Sequence, residues 1–197
     1  LNDANMAKEK AAADLAKAKS LLQQAQAADK GQFDPQVIEW VHQASALAPE
    51  DAEIKAYMEK VAAYARTLRV PGDFPTPAEA LAKAHDRDRI IIAAGTWEGP
   101  LFINASVDLQ GAGAETTLIQ CAAQTGNVIT LGPQAKGTRI SGFTFKHLSF
   151  DAGEERFSAA LVRGVDAEFT GCRFSDASGH GLAVIEGGHA VVSRCRF

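Results

Sequence analysis

The sequence predicts an all-β right-handed parallel β-helix (a solenoid), preceded by an N-terminal α-helical hairpin or bundle region and a short capping helix. Three observations carry this expectation. Glycine is segregated: only Gly31 falls in the first 70 residues, and the other sixteen of the 17 follow. Cys-Arg-Phe occurs at 172–174 and again at 195–197, within two longer segments that align without a gap. Between the two compositions, "TPAE" at 76–79 carries the signature of a helix start. The expected organisation is therefore a helical region over 1–70, of coiled-coil or helical-repeat kind, and a β-helix over 71–197. A helix near 77–85 caps that β-helix, which is expected to be incomplete at its C-terminal end.

The helical part is rich in Ala, Lys, Gln and Leu, all good helix formers. Ala11, Leu15, Ala18, Leu22 and Ala25 recur at spacings of four and three, which draws one apolar stripe along a first helix. Gly31 ends it. Asp34 and Pro35 are an N-cap and a first helical position for a second helix running to about Leu47. Pro49 follows, and a third helix is expected from about Asp51 to Leu68. The stretch "VIEWVHQASALAPEDAEIKAYM" resembles the second helix and exit turn of a tetratricopeptide repeat, with Ala44, Leu47 and Pro49 in the positions of that pattern.

The junction "RVPGDFPTPAEALAKAHDRDR" contains three prolines and a glycine. Within it Thr76 can cap a new helix, Pro77 suits its first position and Glu79 can reach back. Ala80, Leu81 and Ala84 lie on one side of that short helix, which is placed to cover the first coil. The grammar then changes to "RIIIAAGTW", a β-branched run that ends in a turn.

Aligning residues 160–174 with 183–197 matches Ala160 with Ala183, Gly164 with Gly187, Ala167 with Ala190, and the two Cys-Arg-Phe tripeptides with each other. Earlier copies start near residues 128 and 100, with Gly132 corresponding to Gly164. Units of twenty-odd residues made of short strands and bends leave no room for a helix, and propeller blades need about 40 residues or more. Stacked coils about 4.8 Å apart satisfy the pattern. Gly111, Gly142 and Gly171 then sit at the bend between two strands, where a left-handed backbone costs glycine least. Arg194 occupies the fourth such bend, which is expected to be strained. Phe145, Phe174 and Phe197 are expected to stack as a ladder, with Phe143, Cys172 and Cys195 lining the same interior. Arg173 and Arg196 alternate with these and point outward.

Composition excludes several classes. Hydrophobic residues make up 46% and charged residues 22%, as in ordinary folded proteins. No apolar run reaches the roughly 18–20 residues that span a bilayer. Residues 1–70 hold nine Lys/Arg and ten Asp/Glu, and residues 71–197 hold eleven and fourteen, so neither part is basic. With a net charge of −4, a nucleic-acid partner is not expected. Three cysteines without a CxxC pair give neither a zinc site nor a disulfide framework, and no cofactor or metal is expected. The chain starts without Met and without the apolar core of a signal peptide, so it reads as a piece of a longer polypeptide.

The segment "FPTPAEALAKAHDRDRIIIAAGTWEGPLFINASVDLQGAGAETTLI" resembles the opening of pectin methylesterases and of the wider pectin lyase-like superfamily. "RFSAALVRGVDAEFTGCRFSDASGHGLAVIEGGHAVVSRCRF" is similar to a later stretch of the same esterases. The resemblance implies a parallel β-helix over about 73–197 and favours an extracellular or cell-envelope location. It does not bring the chemistry with it. The esterase glutamine falls on Ser158, and a second glutamine with the catalytic aspartate falls on Gly179 and His180 or within one residue of them.

Asp176, His180, Glu186 and His189 form the best polar set for acid–base or ligand-binding work. The loop "SDASGHG" also has the composition of a plain turn. Arg173 and Arg196 could bind acidic sugars through bidentate contacts, or simply face solvent. Two functional classes follow. One is a non-catalytic binding or scaffold module, whose β-helix face meets a polysaccharide or protein and whose helices meet a protein. The other is the N-terminal portion of a carbohydrate-active enzyme, a lyase or esterase-like hydrolase, with catalytic coils beyond Phe197.

Overall fold

The computed structural model describes residues 2–149 and 155–197, in two compact units divided between Arg66 and Thr67. The first unit holds α1 (Asn2–Ala28), α2 (Pro35–Leu47) and α3 (Ala52–Ala62). Asp34 caps α2 by accepting from the amide of Gln36, and Asp51 caps α3 by accepting from the amides of Glu53 and Ile54. Ala18, Leu22 and Ala25 of α1 are buried against Val37, Val41 and Ala44 of α2 and Ile54, Tyr57 and Val61 of α3. Small side chains at three of these positions let the helices approach closely. The expected stripe is buried only over its second half, because Ala11 and Leu15 are exposed. Among the described residues, no helix is long and apolar enough to cross a membrane.

The third helix does not reach Leu68. It stops at Ala62, and Thr67–Val70 is a strand, β1, in which Leu68 and Val70 are buried while Arg69 is exposed. This alternation has period two, and Pro71 ends it. The second unit therefore begins at Thr67, four residues earlier than the composition suggests.

That unit is built from three parallel sheets that the chain visits in rotation. Sheet A contains β1, β2 (Arg89–Ile92), β5 (Asp108–Gly111), β8 (Thr138–Ser141), β11 (Asp166–Thr170) and β14 (His189–Ser193). Sheet B contains β3 (Gly95–Glu98), β6 (Thr117–Cys121), β9 (Thr144–His147) and β12 (Arg173–Ser175). Sheet C contains β4 (Leu101–Ile103), β7 (Ile129–Leu131), β10 (Ala160–Arg163) and β13 (Leu182–Ile185). Every pairing is parallel, and each strand pairs with the strand one coil away, which fits a parallel β-helix.

Inward rows fill the interior. Ile90, Leu109, Ile140, Phe169 and Val192 are successive partners on sheet A, and Trp97, Ile119, Phe145 and Phe174 are partners on sheet B. The ring of Phe174 stacks on Phe145 at 5.9 Å and on Phe197 at 5.1 Å, with Phe169 edge-on at 5.5 Å. Phe143 and Cys172 are fully enclosed beside them, Cys195 is half-buried, and Phe197 is 74% exposed. Each enclosed Phe, Leu or Ile contributes about 1.5–3 kcal/mol of apolar burial.

Helix α4 (Pro77–Ala82) is shorter than the expected 77–85. It packs on β1, β2 and β4 through Ala80 and Leu81. The Thr76 hydroxyl accepts from the Glu79 amide at 3.3 Å and donates to the Glu79 carboxylate at 3.0 Å. The ladder edge of β2 is covered by β1, so α4 is not what shields it.

The register corrects the sequence alignment on one face. Asp166 opposes His189, an offset of 23, but Ala160 opposes Leu182, an offset of 22. The turn from β13 to β14 is one residue longer than its predecessor and absorbs the difference with Glu186 at φ 57° and Gly187 at φ 75°.

Candidate functional site

The outward rows of the three sheets are the surfaces on which chemistry could be arranged. On sheet A, Arg89, Asp108, Arg139, Glu168 and Val191 are successive partners, so the charges alternate in sign along the first four. Asp108 Oδ2 accepts from Arg89 Nε at 3.4 Å and lies 3.5 Å from Arg139 Nη2. The neighbouring row carries Gln110, Ser141, Thr170 and Ser193, and the last two hydroxyls are hydrogen-bonded at 3.0 Å. A shallow groove of about 220 Å³ on this face is lined by Arg139, Asp166, Glu168 and His189, among others.

On sheet B the outward row is Thr96, Leu118, Thr144 and Arg173, extended by Arg196, which is bridged to Arg173. Both guanidinium groups turn to Glu115, whose Oε1 lies 3.2 Å from Arg173 and 3.9 Å from Arg196. The two stacked arginines are thus partly neutralised by one carboxylate from another coil. As exposed pairs these bridges add little stability, and Arg196 keeps most of its surface free. On sheet C the row is Phe102, Thr130, Leu161 and Ala183, without an ionisable group.

The four polar residues singled out from sequence do not converge. Asp176 follows β12 with a left-handed backbone (φ 51°), and His180 lies further along the same connection, its carbonyl accepting from the Ala159 amide. Glu186 occupies the next turn and pairs with Arg163 at 3.4 Å. His189 opens β14 opposite Asp166. No hydrogen bond or ion pair joins any two of the four. Among the described residues no group of three or more His, Cys, Asp or Glu is placed to hold a metal ion.

Two positions carried by the esterase resemblance are occupied by packing. Ser158 is buried, and its amide donates to Asn127 Oδ1 at 2.7 Å. The Gly179 amide donates to the Phe157 carbonyl at 2.7 Å, and a Cβ on Gly179 would stand 2.8 Å from that oxygen, so no side chain fits there.

His147 is a buried polar site that nothing in the sequence announces. Its Nδ1 accepts from the Ser178 amide at 3.1 Å, and its Nε2 lies 3.0 Å from the Gly126 carbonyl. Because Nδ1 faces a donor, the proton sits on Nε2 and is donated to Gly126. The imidazole thus ties two sheet-B-to-sheet-C connections together. Both partners are backbone groups, which leave no side-chain signature to find.

No protein-family model and no curated protein sequence matches the chain. Solved structures do. A pectin methylesterase variant in complex with a hexasaccharide is similar with TM-score 0.54 and 19% identity, covering 66% of this chain and 48% of that one. Pectin methylesterase PemA from Erwinia chrysanthemi is similar with TM-score 0.51 and 20% identity, with the same coverage of both chains. A further pectin methylesterase–hexasaccharide complex gives 0.54 and 20%. The chain spans about half the length of these structures. At such identities the likeness is one of fold: the chain shares the parallel β-helix of the pectin methylesterases.

Proposed function

We propose that the β-helix is a non-catalytic recognition module that presents a rigid face to a polysaccharide, and that the helical region is a protein-contact segment of tetratricopeptide-like design. A right-handed winding belongs to this reading, since parallel crossovers take that hand almost without exception. The observation that carries the reading is the outer surface of sheet C. Its row of Phe102, Thr130, Leu161 and Ala183 offers aromatic, hydroxyl and aliphatic contact in place of acid–base groups. The packing of Gly179 against Phe157 supports it further, because a side chain cannot be accommodated where the resemblance would need one. Rigid extended faces suit repetitive ligands, since little ordering entropy is lost on binding.

A second reading is supported by the likeness to enzymes that are about twice as long over the shared fold. In it, this chain is the N-terminal portion of a carbohydrate-active enzyme whose catalytic coils belong to a longer parent polypeptide. Retention on insoluble polysaccharides, together with methanol release from methylated pectin, distinguishes the two. The recognition reading expects retention without methanol, and methanol release by this chain overturns it. The Arg173→Ala/Arg196→Ala double variant asks whether the cationic row contributes. Unchanged retention removes those arginines from the reading.

A further inference from the structure

Beside α4 lies a groove of about 380 Å³, within the roughly 300–1,000 Å³ range of small-molecule sites, with Ala78, Leu81 and Ala82 on its helical wall and Pro100, Phe102 and Asn104 on its strand wall. Phe102, in the middle of the edge strand β4, is 56% exposed, where a polar residue would be expected. Gly132 leaves room beneath the ring: a Cβ there would come within 2.7 Å of its tip, so a larger residue would push the ring off this position over the next coil. Next to it, Asn104 Nδ2 donates to Gln134 Oε1 at 2.9 Å. Each amide has a second polar atom. That leaves one acceptor, on Asn104, and one donor, on Gln134, without a protein partner among the described residues. Turning both amides round exchanges the two roles but leaves one of each.

We propose that this groove binds one neutral pyranose unit of a glycan. Three features match that chemistry. An aromatic face attracts the slightly positive C–H groups of a sugar ring, and the match is widest when the hydroxyls are all equatorial, as in a β-linked glucan. An adjacent acceptor and donor suit the two hydroxyls of a vicinal diol. Among the described residues no ionisable side chain lines the groove, so a uronate carboxylate would be desolvated without a counter-charge. The site lies on the first full coil, apart from Arg173 and Arg196 on sheet B and from Asp176, His180, Glu186 and His189.

This inference rests on the carbohydrate-recognition reading and is tested with cellohexaose and hexagalacturonate by isothermal titration calorimetry on the whole chain. Cellohexaose is expected to bind and hexagalacturonate to bind at least tenfold more weakly. Phe102→Ala is expected to reduce cellohexaose affinity at least tenfold, and Asn104→Ala about threefold. Both side chains are exposed, so unchanged circular dichroism is expected to accompany the loss. If cellohexaose binds equally to the parent and to Phe102→Ala, or hexagalacturonate is preferred, this site is wrong while carbohydrate recognition stands. If neither oligosaccharide binds, both fall.

Discussion

The Tyr64 hydroxyl donates to the Asp29 carboxylate, at 2.6 Å to Oδ2 and 2.9 Å to Oδ1. Asp29 lies just past the end of α1 with its side chain only 4% exposed. It also accepts from Lys60 at 2.9 Å, from Tyr57 at 2.7 Å and from the Gly31 amide at 2.8 Å. The Lys60 ammonium, then the Tyr64 hydroxyl, hold this carboxyl well below the usual carboxylate range, against the opposing effect of burial. A depressed carboxylate contributes stability that is present above its unfolded pKa of about 3.9 and is lost as pH falls through the folded value. Lys60 is raised by its hydrogen bond to Asp29, and Tyr57 is pushed up to about 12, mainly by burial. Those contributions are present below their unfolded pKa values, near 10, and are lost as pH rises through the folded ones. Asp29→Asn is therefore expected to lower the helical melting temperature by about 5 °C or more at pH 7. The gap from the parent protein should narrow below about pH 4. Thermal melts at 222 nm from pH 7 to 2 measure this. A gap that stays constant with pH rules out the charge as its source.

Gly111 and Gly171 hold equivalent bends for different reasons. Gly111 has an ordinary backbone, but a Cβ there would overlap the carbonyl oxygen of Gly142 one coil away. Gly171 has open space around it but a φ of 59°. Gly111→Ala should thus cost about 2–3 kcal/mol, because backbone must move. Gly171→Ala should cost about 1 kcal/mol, the left-handed penalty alone. Urea unfolding of both variants measures the difference, and equal losses would show that one cause serves both bends.

The fourth bend supplies the converse test. Arg194 sits where Gly171 and Gly142 sit one and two coils earlier, and it adopts φ 54°. Arg194→Gly removes a strain of about 1–2 kcal/mol and reintroduces chain entropy of about 0.5–1 kcal/mol. A net gain of about 0.5–1 kcal/mol is expected, read as a higher urea midpoint. A loss would mean that the arginine side chain contributes more than its backbone costs.

The parts of the fold legible in the sequence are those that repeat. Phe145 and Phe174 could be paired by eye because coils of nearly equal length place identical residues in register. β1 was missed because Thr67–Val70 is a single strand following a helix-forming run, with no bend glycine to announce it. The one-residue shift on sheet C was hidden because the identity of Ala160 with Ala183 outweighed the extra residue in the following turn. Proximity of functional groups was the least legible property. Asp176, His180, Glu186 and His189 are close in sequence, yet they are divided between the β12–β13 connection and the turn into β14, and none bonds to another. His189 is the register partner of Asp166 and lines one groove with Asp166 and Glu168, two strand residues that only the offset of 23 could have brought near it.

The repeated Cys-Arg-Phe invites one further prediction, since a paired thiol motif suggests redox chemistry. Cys172 is 2% exposed, its Sγ lies 3.8 Å from the Ile140 carbonyl, and burial pushes its thiol up to about 11. At pH 8 such a group is thiolate in on the order of one molecule in a thousand, against about a quarter for a free cysteine. Its reaction with a disulfide reagent should therefore be slower by at least about a hundredfold in the folded protein than in urea, from ionisation and exclusion together. Labelling followed by peptide mass spectrometry resolves Cys172 from Cys121 and from the half-buried Cys195. Rapid modification of folded Cys172 would show that the last coils open readily. Slow modification assigns the cysteines of the repeat to packing, alongside the phenylalanines they accompany.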